Sequence, residues 1–363
     1  MRKPLSIDFV VPDLFDSIGG IARIARSMAL AIGNWADARQ VAFEVSALVD
    51  ASGQRDERYL PARFPLHVYG ERRFALSRDL VNRAWSEPGR RIFVFAHPNL
   101  GSLVAAFPPG TRSAVVAHGI DVWTPMRLER RLALRRATRF WPVSQSTARH
   151  LSDTQGLDAQ RTRVVLNALD PFWPLPSLAA RPARDFLLTV ARLHPNHRYK
   201  GIDLTIEALA MLPAERRPMI VVAGDGPDRP RLEALASSLG VVVQWAGQVD
   251  DAQLKDLFAR ASAFVMPSTG EGFGLVYLEA MAFGLPCVAA RAGGAPEVVI
   301  DGDTGVVVAP GDKVALASAI ETVTGDRGAE MGRLGRARVE RYFLFKHYEL
   351  RLHDVLDELA DAG

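Results

Sequence analysis

Short, nearly continuous apolar runs alternate along the chain with stretches in which apolar residues recur every three or four positions. The runs read "LSIDFVV", "AFEVSALV", "RIFVFAH" and "SAVVAH" in the first half, then "DFLLTVA", "MIVVAG", "VVVQWAG" and "AFVMP". Strands that lack polar alternation are buried on both faces, and helical patterns between them supply parallel crossovers. The pattern therefore predicts an α/β protein with two doubly wound parallel sheets. It breaks once, at "DPFWPLPSLAARPAR", whose four prolines suit neither a helix nor a central strand. This break sets the expected boundaries: a first domain over 1–170, a linker over 171–184 and a second domain over 185–340. The remainder, 341–363, carries "LFKHYELRLHDVLDELADA", an amphipathic helix after the second sheet is complete.

Composition fits two packed cores: 363 residues, 48% apolar and 23% charged. No run reaches the ~18 apolar residues of a membrane-spanning helix. The opening "MRKPLSIDFVVPDLFD" has Pro and Asp where a signal peptide would be apolar, so the expected location is cytoplasmic. The lone Cys287 permits no internal disulfide and no cysteine metal cluster, and in "LPCVAA" it reads as a small buried residue. Net charge is only +3, but 24 basic and 16 acidic residues up to Asp170 give +8, while 20 and 25 beyond it give −5. The two halves face different partners.

Ligands of doubly wound sheets bind at the carboxyl ends of the strands, and the chemical candidates cluster there. After the first strand, Gly19 and Gly20 open a helix whose N–H groups can approach a phosphate, although a plain tight turn would read the same. A dinucleotide fingerprint and a P-loop are absent; "GDGPDR" at Gly224 has Arg229 where a third glycine belongs. "VARLHPNHRYKGIDL" puts Arg192 past a strand and Lys200 before a helix, a cation pair suited to a pyrophosphate. With five lysines against 39 arginines, Lys200 is less easily dismissed as surface charge. In "AFVMPSTGEGFGLVYLEAMAFG", a strand, a glycine loop and a helix follow one another, with Glu271 in the loop and Glu279 about two turns inside the helix. Their spacing lets both acids reach one ligand over the helix N-terminus, with backbone N–H groups at Gly272 and Gly274 nearby. A carboxylate on an apolar helix face needs a partner, which sugar or ribose hydroxyls supply. The competing reading makes Glu271 a helix cap and Glu279 a surface residue.

These segments, with "SIGGIARIARSMA", "AHGID", "PVSQSTARHL", "VVLNALDPFW", "VAGDGPDRPRLEALA" and "GGAPEVVIDGDTGVVV" in order, resemble glycosyltransferase family 4, the retaining, nucleotide-sugar-dependent enzymes of the GT-B fold. The likeness implies two Rossmann-like domains across a deep cleft, with the C-terminal helix crossing back to the first. It implies that Glu279 bonds the nucleotide ribose, that Glu271, Gly272, Phe273, Gly274 and Leu275 line the donor sugar and β-phosphate, and that Gly224 borders the donor. Arg192 and Lys200 would bind the pyrophosphate, Gly19 and Gly20 would meet it from the first domain, and His118 in "AHGID" would touch the sugar at the reacting face. Base contacts would fall near "WAGQVDD". One departure is Ala168 in "LNALDPFW", where the family commonly has a turn glycine.

By this resemblance the reaction moves a hexose, mannose or glucose from GDP-mannose or UDP-glucose, to a hydroxyl of a glycan or lipid-linked acceptor in polysaccharide or lipopolysaccharide synthesis. No metal or other cofactor is expected beyond the donor substrate. "DGDT", with Asp301 and Asp303 at the spacing of metal-binding glycosyltransferases of another fold, reads as a turn. "MRLERRLALRRATRF" sets Arg127, Arg131 and Arg135 four apart, with Arg130, Arg136 and Arg139 nearby and leucines between them. Read as one helix from Arg127 to Arg139, it suits an anionic membrane at the inner face of the cytoplasmic membrane; a solvated face is the alternative, and no nucleic-acid signature is present. A non-catalytic nucleotide-sugar-binding protein, or an epimerase or phosphorylase of the same fold, is the competing functional class. The first would be expected to have lost Glu271, Arg192 or Lys200.

Overall fold

The computed structural model describes residues 5–16, 19–178 and 186–362. Two compact units emerge: Met1–Pro171 with Phe345–Gly363, and Phe172–Leu344. Of the Pro-rich segment 171–184, residues 179–184 lie outside the described residues.

The first unit holds a six-stranded parallel sheet of β1 (Ser6–Val11), β2 (Ala42–Ala47), β3 (Leu66–Val68), β4 (Arg91–Phe95), β5 (Arg112–Ala117) and β6 (Arg139–Pro142), in the order β3-β2-β1-β4-β5-β6. The order reverses between β1 and β4, and that is where a doubly wound sheet opens a crevice. The helix Gly20–Arg39 follows β1 because Ala25, Met28, Ala29, Ile32 and Trp35 recur at helical spacing and are all buried. On the other side of the sheet Phe93 and Phe107 pack with ring centroids 4.5 Å apart.

The final helix, Phe345–Asp361, buries Tyr348, Leu352, Val355, Leu356 and Leu359. It is fixed to the helix Gly20–Arg39 by polar contacts: Trp35 Nε1 donates to Asp357 at 2.9 Å and His353 Nε2 meets the Ala31 carbonyl at 2.9 Å. Residues 341–344, placed with this helix by the sequence pattern, belong to the second unit.

The second unit repeats the plan with β7 (Phe186–Val190), β8 (Ile220–Ala223), β9 (Val243–Gly247), β10 (Ala261–Met266), β11 (Cys287–Ala290) and β12 (Gly305–Val308), in the order β12-β11-β10-β7-β8-β9. Its reversal lies between β7 and β10, which pair in parallel. All eight apolar runs are strands. Four strands were not foreseen: β3 and β6 are short edge strands, and the β11 and β12 runs sat inside segments dominated by their motif glycines.

One expectation fails in the first unit. Arg127 to Arg139 do not form one helix: the helix runs only Leu128–Leu134, and Arg139 opens β6. Arg136 is drawn off by the carbonyls of Ala105 (2.8 Å) and Phe107 (3.2 Å), and Ala137 is buried beneath it, so helical spacing stops at Arg135. Ala168, buried in its loop, has no positive φ, so this backbone does not require the glycine it replaces.

Candidate functional site

In the second unit the loops leaving β7 and β10 meet at the point where strand order reverses. After β7 the chain enters a 3₁₀ stretch, Pro195–Lys200, started by His194 Nδ1 accepting the Asn196 N–H at 3.1 Å. After β10 a loop leads to the helix Leu275–Ala282. The Thr269 N–H donates to the Tyr199 carbonyl at 2.8 Å, which ties the loops together. Across this tie Lys200 Nζ pairs with Glu271 Oε1, their side chains 21% and 11% exposed. A mostly covered ion pair therefore sits over the central strands.

Arg192 joins them. Burial raises the Tyr199 hydroxyl above its ordinary pKa, Lys200 and Arg192 oppose that rise and Glu271 adds to it, so all three charges lie within electrostatic range of one hydroxyl. The His197 imidazole is held below its usual value by burial first, then by His194, Lys200 and Arg192. Not every cation here is available: Asp228 binds Arg198 at 2.9 Å and Arg231 at 2.7 Å, and hydrogen bonding from Arg231 holds its carboxyl down at about 2.

The glycine loop is held from behind. The Gly294 N–H donates to the Glu271 carbonyl at 2.7 Å, and a Cβ on Gly294 would lie 2.3 Å from the Gly272 carbonyl oxygen. Gly274, at φ 96°, turns the chain into the helix without any side-chain cap, and of the first turn the Tyr277 N–H donates to the Gly274 carbonyl at 3.1 Å. Phe273 is buried edge-on against Phe343, so what it presents at the loop is backbone, while Leu275 starts the helix half-buried. Tyr277 Oη donates to the Met266 carbonyl at 2.5 Å and fastens the helix to β10.

Glu279 is buried at 8% exposure, which removes its reading as a surface residue. It is the fifth residue of the helix, just over one turn in rather than two, because Gly274 delays the helix start. Glu271 is not a helix cap, since its carboxylate goes to Lys200. Gly224 leaves β8 with its N–H on the Gly247 carbonyl at 2.7 Å. Asp301 pairs with Arg291 at 3.0 Å and accepts the Val307 N–H at 2.9 Å, as a turn residue does. Among the described residues no three His, Cys, Asp or Glu side chains are grouped to hold a metal.

In the first unit Gly19 caps the helix Gly20–Arg39, and the loop before it is pinned by Asp50, which accepts N–H bonds from Leu14 (2.8 Å) and Asp16 (2.9 Å). Ser17 and Ile18 lie outside the described residues. His118 directly follows β5, with Nε2 at 2.6 Å from the Ala96 carbonyl. A carbonyl only accepts, so Nε2 carries a proton. The His118 N–H donates to Asp121 Oδ2 at 3.1 Å.

Two residues here were missed by sequence reasoning. His97, leaving β4 at the reversal, stacks on His118 with centroids 6.3 Å apart, and its Nε2 lies 4.0 Å from Asp121 Oδ2. Burial lowers the His97 pKa, Asp121 opposes the shift, and His118 and Arg130 reinforce it, so this ring is neutral at pH 7. Asp121 is the second: its Oδ1 is buried without a hydrogen-bond partner. The signal was available, since "RIFVFAH" ends on a histidine at a strand exit just as "SAVVAH" does.

Comparison with known proteins agrees on one class. Residues 176–338 match the family model for glycosyl transferases group 1. A GDP-mannose-dependent alpha-(1-6)-phosphatidylinositol monomannoside mannosyltransferase of Mycolicibacterium smegmatis is 35% identical over 279 residues, 70% of this chain and 72% of that protein. Among solved structures, Anabaena HepE in complex with UDP and glucose superposes with a TM-score of 0.76 at 22% identity, covering 97% of this chain and 99% of that one. WaaG, a glycosyltransferase involved in lipopolysaccharide biosynthesis, gives 0.69 at 20% identity over 98% and 100%. The last two establish the GT-B fold.

Proposed function

The chain belongs to the glycosyl transferases group 1, nucleotide-sugar-dependent enzymes, and from that premise we propose that it is a retaining, metal-independent hexosyltransferase whose donor binds the second unit. The observation that carries the reading is the Lys200–Glu271 pair, set with Arg192 and the Gly272–Leu275 backbone over the strand-order reversal.

The chemistry follows from the charges. The acceptor oxygen forms a bond to the anomeric carbon as the bond from that carbon to the diphosphate breaks. Negative charge grows on the departing diphosphate, where Lys200, Arg192 and the uncapped helix N-terminus stabilise it. The departing phosphate oxygen takes the acceptor's proton on the same face, so configuration is retained. Glu271 orients Lys200 and the donor sugar rather than attacking carbon. Buried Glu279 takes the ribose hydroxyls, and Gly224 borders the nucleotide. Gly19, Gly20 and His118 are assigned to the donor on the family resemblance.

Mannose leads glucose as the transferred sugar because the M. smegmatis relative is GDP-mannose-dependent. The acceptor is a glycan or lipid-linked oligosaccharide. Leu128 and Leu132, 55% and 48% exposed beside Arg127 and Arg131, support peripheral contact with an anionic membrane. No helix among the described residues is long and apolar enough to cross one. A non-catalytic binding protein is the weaker reading, because the cation–carboxylate set is intact.

A thermal-shift panel of UDP, GDP, ADP and their hexose conjugates, with EDTA present, tests the proposal. A specific donor at 100 times its Kd adds ~2.7 kcal/mol of stability. Absence of any shift at millimolar nucleotide, or a shift that EDTA abolishes, refutes it.

A further inference from the structure

The first unit carries a second cationic recess. Ser102, Arg127, Glu129, Arg130 and Ala133 bound an open cavity of about 280 Å³, near the lower end of the ~300–1,000 Å³ typical of small-molecule sites. It forms where the helix Leu128–Leu134 packs on the turn Ser102–Ala106, five residues beyond His97. Neither the Arg127 nor the Arg130 guanidinium forms a hydrogen bond or ion pair with a described residue. Their neighbour Arg136 shows the usual outcome, its donors satisfied by the Ala105 and Phe107 carbonyls. Arg130 is also close enough to His97 for its charge to oppose protonation of that ring.

We propose that this recess seats a phosphate ester borne by the acceptor, so that the enzyme glycosylates a phosphorylated molecule; this rests on the transferase reading above. Two unpaired guanidiniums present forked donors matched to phosphate oxygens. Ser102 Oγ donates to the Asn99 carbonyl at 2.9 Å and keeps its lone pairs for an acceptor hydroxyl. Glu129, the single acid of the lining, leaves the recess with a net charge of +1 and offers a further oxygen to hydroxyls. His97 and the unpartnered Asp121 Oδ1, beside the His118 ring, lie on the strand-exit side of the same segment and take the reacting end of the acceptor.

The test uses the full chain with saturating UDP or GDP, which occupies the second unit's cations. Glycerol 1-phosphate and glycerol are titrated calorimetrically, and vesicles of phosphatidylglycerol or phosphatidylcholine are co-sedimented. Glycerol 1-phosphate should bind and glycerol should not, with at least a tenfold loss in Arg127→Gln/Arg130→Gln and in Ala133→Glu, and partial retention in Arg130→Lys. If phosphatidylglycerol vesicles bind while the soluble ester does not, and the same variants lose them, the phosphate belongs to a lipid headgroup. Binding within twofold of wild type in both Arg127→Gln/Arg130→Gln and Ala133→Glu, or binding by neither anionic probe, overturns the proposal. Failure of the transferase reading shows separately, as absence of UDP and GDP binding by the wild type.

Discussion

Replacing Lys200 by Met leaves the Glu271 carboxylate, whose side chain is 11% exposed, without its cation. Unit charges ~4 Å apart at an effective dielectric of ~20 attract by ~4 kcal/mol. The 21% exposure of Lys200 and the desolvation already incurred reduce the expected net loss to ~2–3 kcal/mol. Glu271→Gln strands the ammonium instead and should cost a similar amount. The double variant leaves no orphan charge, so its loss should fall ~2 kcal/mol or more short of the sum of the singles. Urea unfolding of the four proteins supplies the cycle. Calorimetry with UDP and GDP adds a second readout, in which Lys200→Met forfeits a charge-assisted contact to the diphosphate and weakens binding by ~10- to 100-fold. Additivity within ~0.5 kcal/mol, together with wild-type nucleotide affinity, would refute the reasoning, because the pair would then be neither coupled in the fold nor aimed at a diphosphate.

Three other outcomes are expected. Gly294→Ala drives a methyl to 2.3 Å from the Gly272 carbonyl oxygen and should cost ~1–3 kcal/mol and displace the donor loop; unaltered urea midpoint and donor affinity would count against that loop geometry. His97 has a folded pKa below its unfolded value, so below ~6.5 the unfolded state binds more protons and stability should fall as pH drops from that value through the lowered pKa. His97→Asn should flatten that segment of the urea-midpoint profile, and an unchanged slope would assign it elsewhere. Cys287 is fully buried with its thiol pushed up by burial, so Ellman's reagent should find no reactive thiol in the native protein and one per chain in urea; rapid native labelling would contradict its placement.

The sequence by itself determined the architecture, because strands buried on both faces must be continuously apolar and parallel strands require helical crossovers. It also placed Glu271, Gly272 and Gly274 on a glycine loop that opens a helix after a buried run, and Arg192 and Lys200 between a strand exit and a helix start. What it left open depends on which loops become neighbours. Lys200 and Glu271 are 71 positions apart, and they meet only because β10 pairs beside β7 instead of following β9. The pairing of His97 with His118 likewise awaited β4 and β5 lying side by side, and their exits alone bring the two rings into contact. Arginine spacing suggested one helix to Arg139, but the tertiary structure ended it at Leu134, where burial of Ala137 and the start of β6 outweigh local periodicity. Local pattern fixes elements because each side chain responds to its own face of the chain; long-range pairing decides the site because strand order is set by whole-sheet packing.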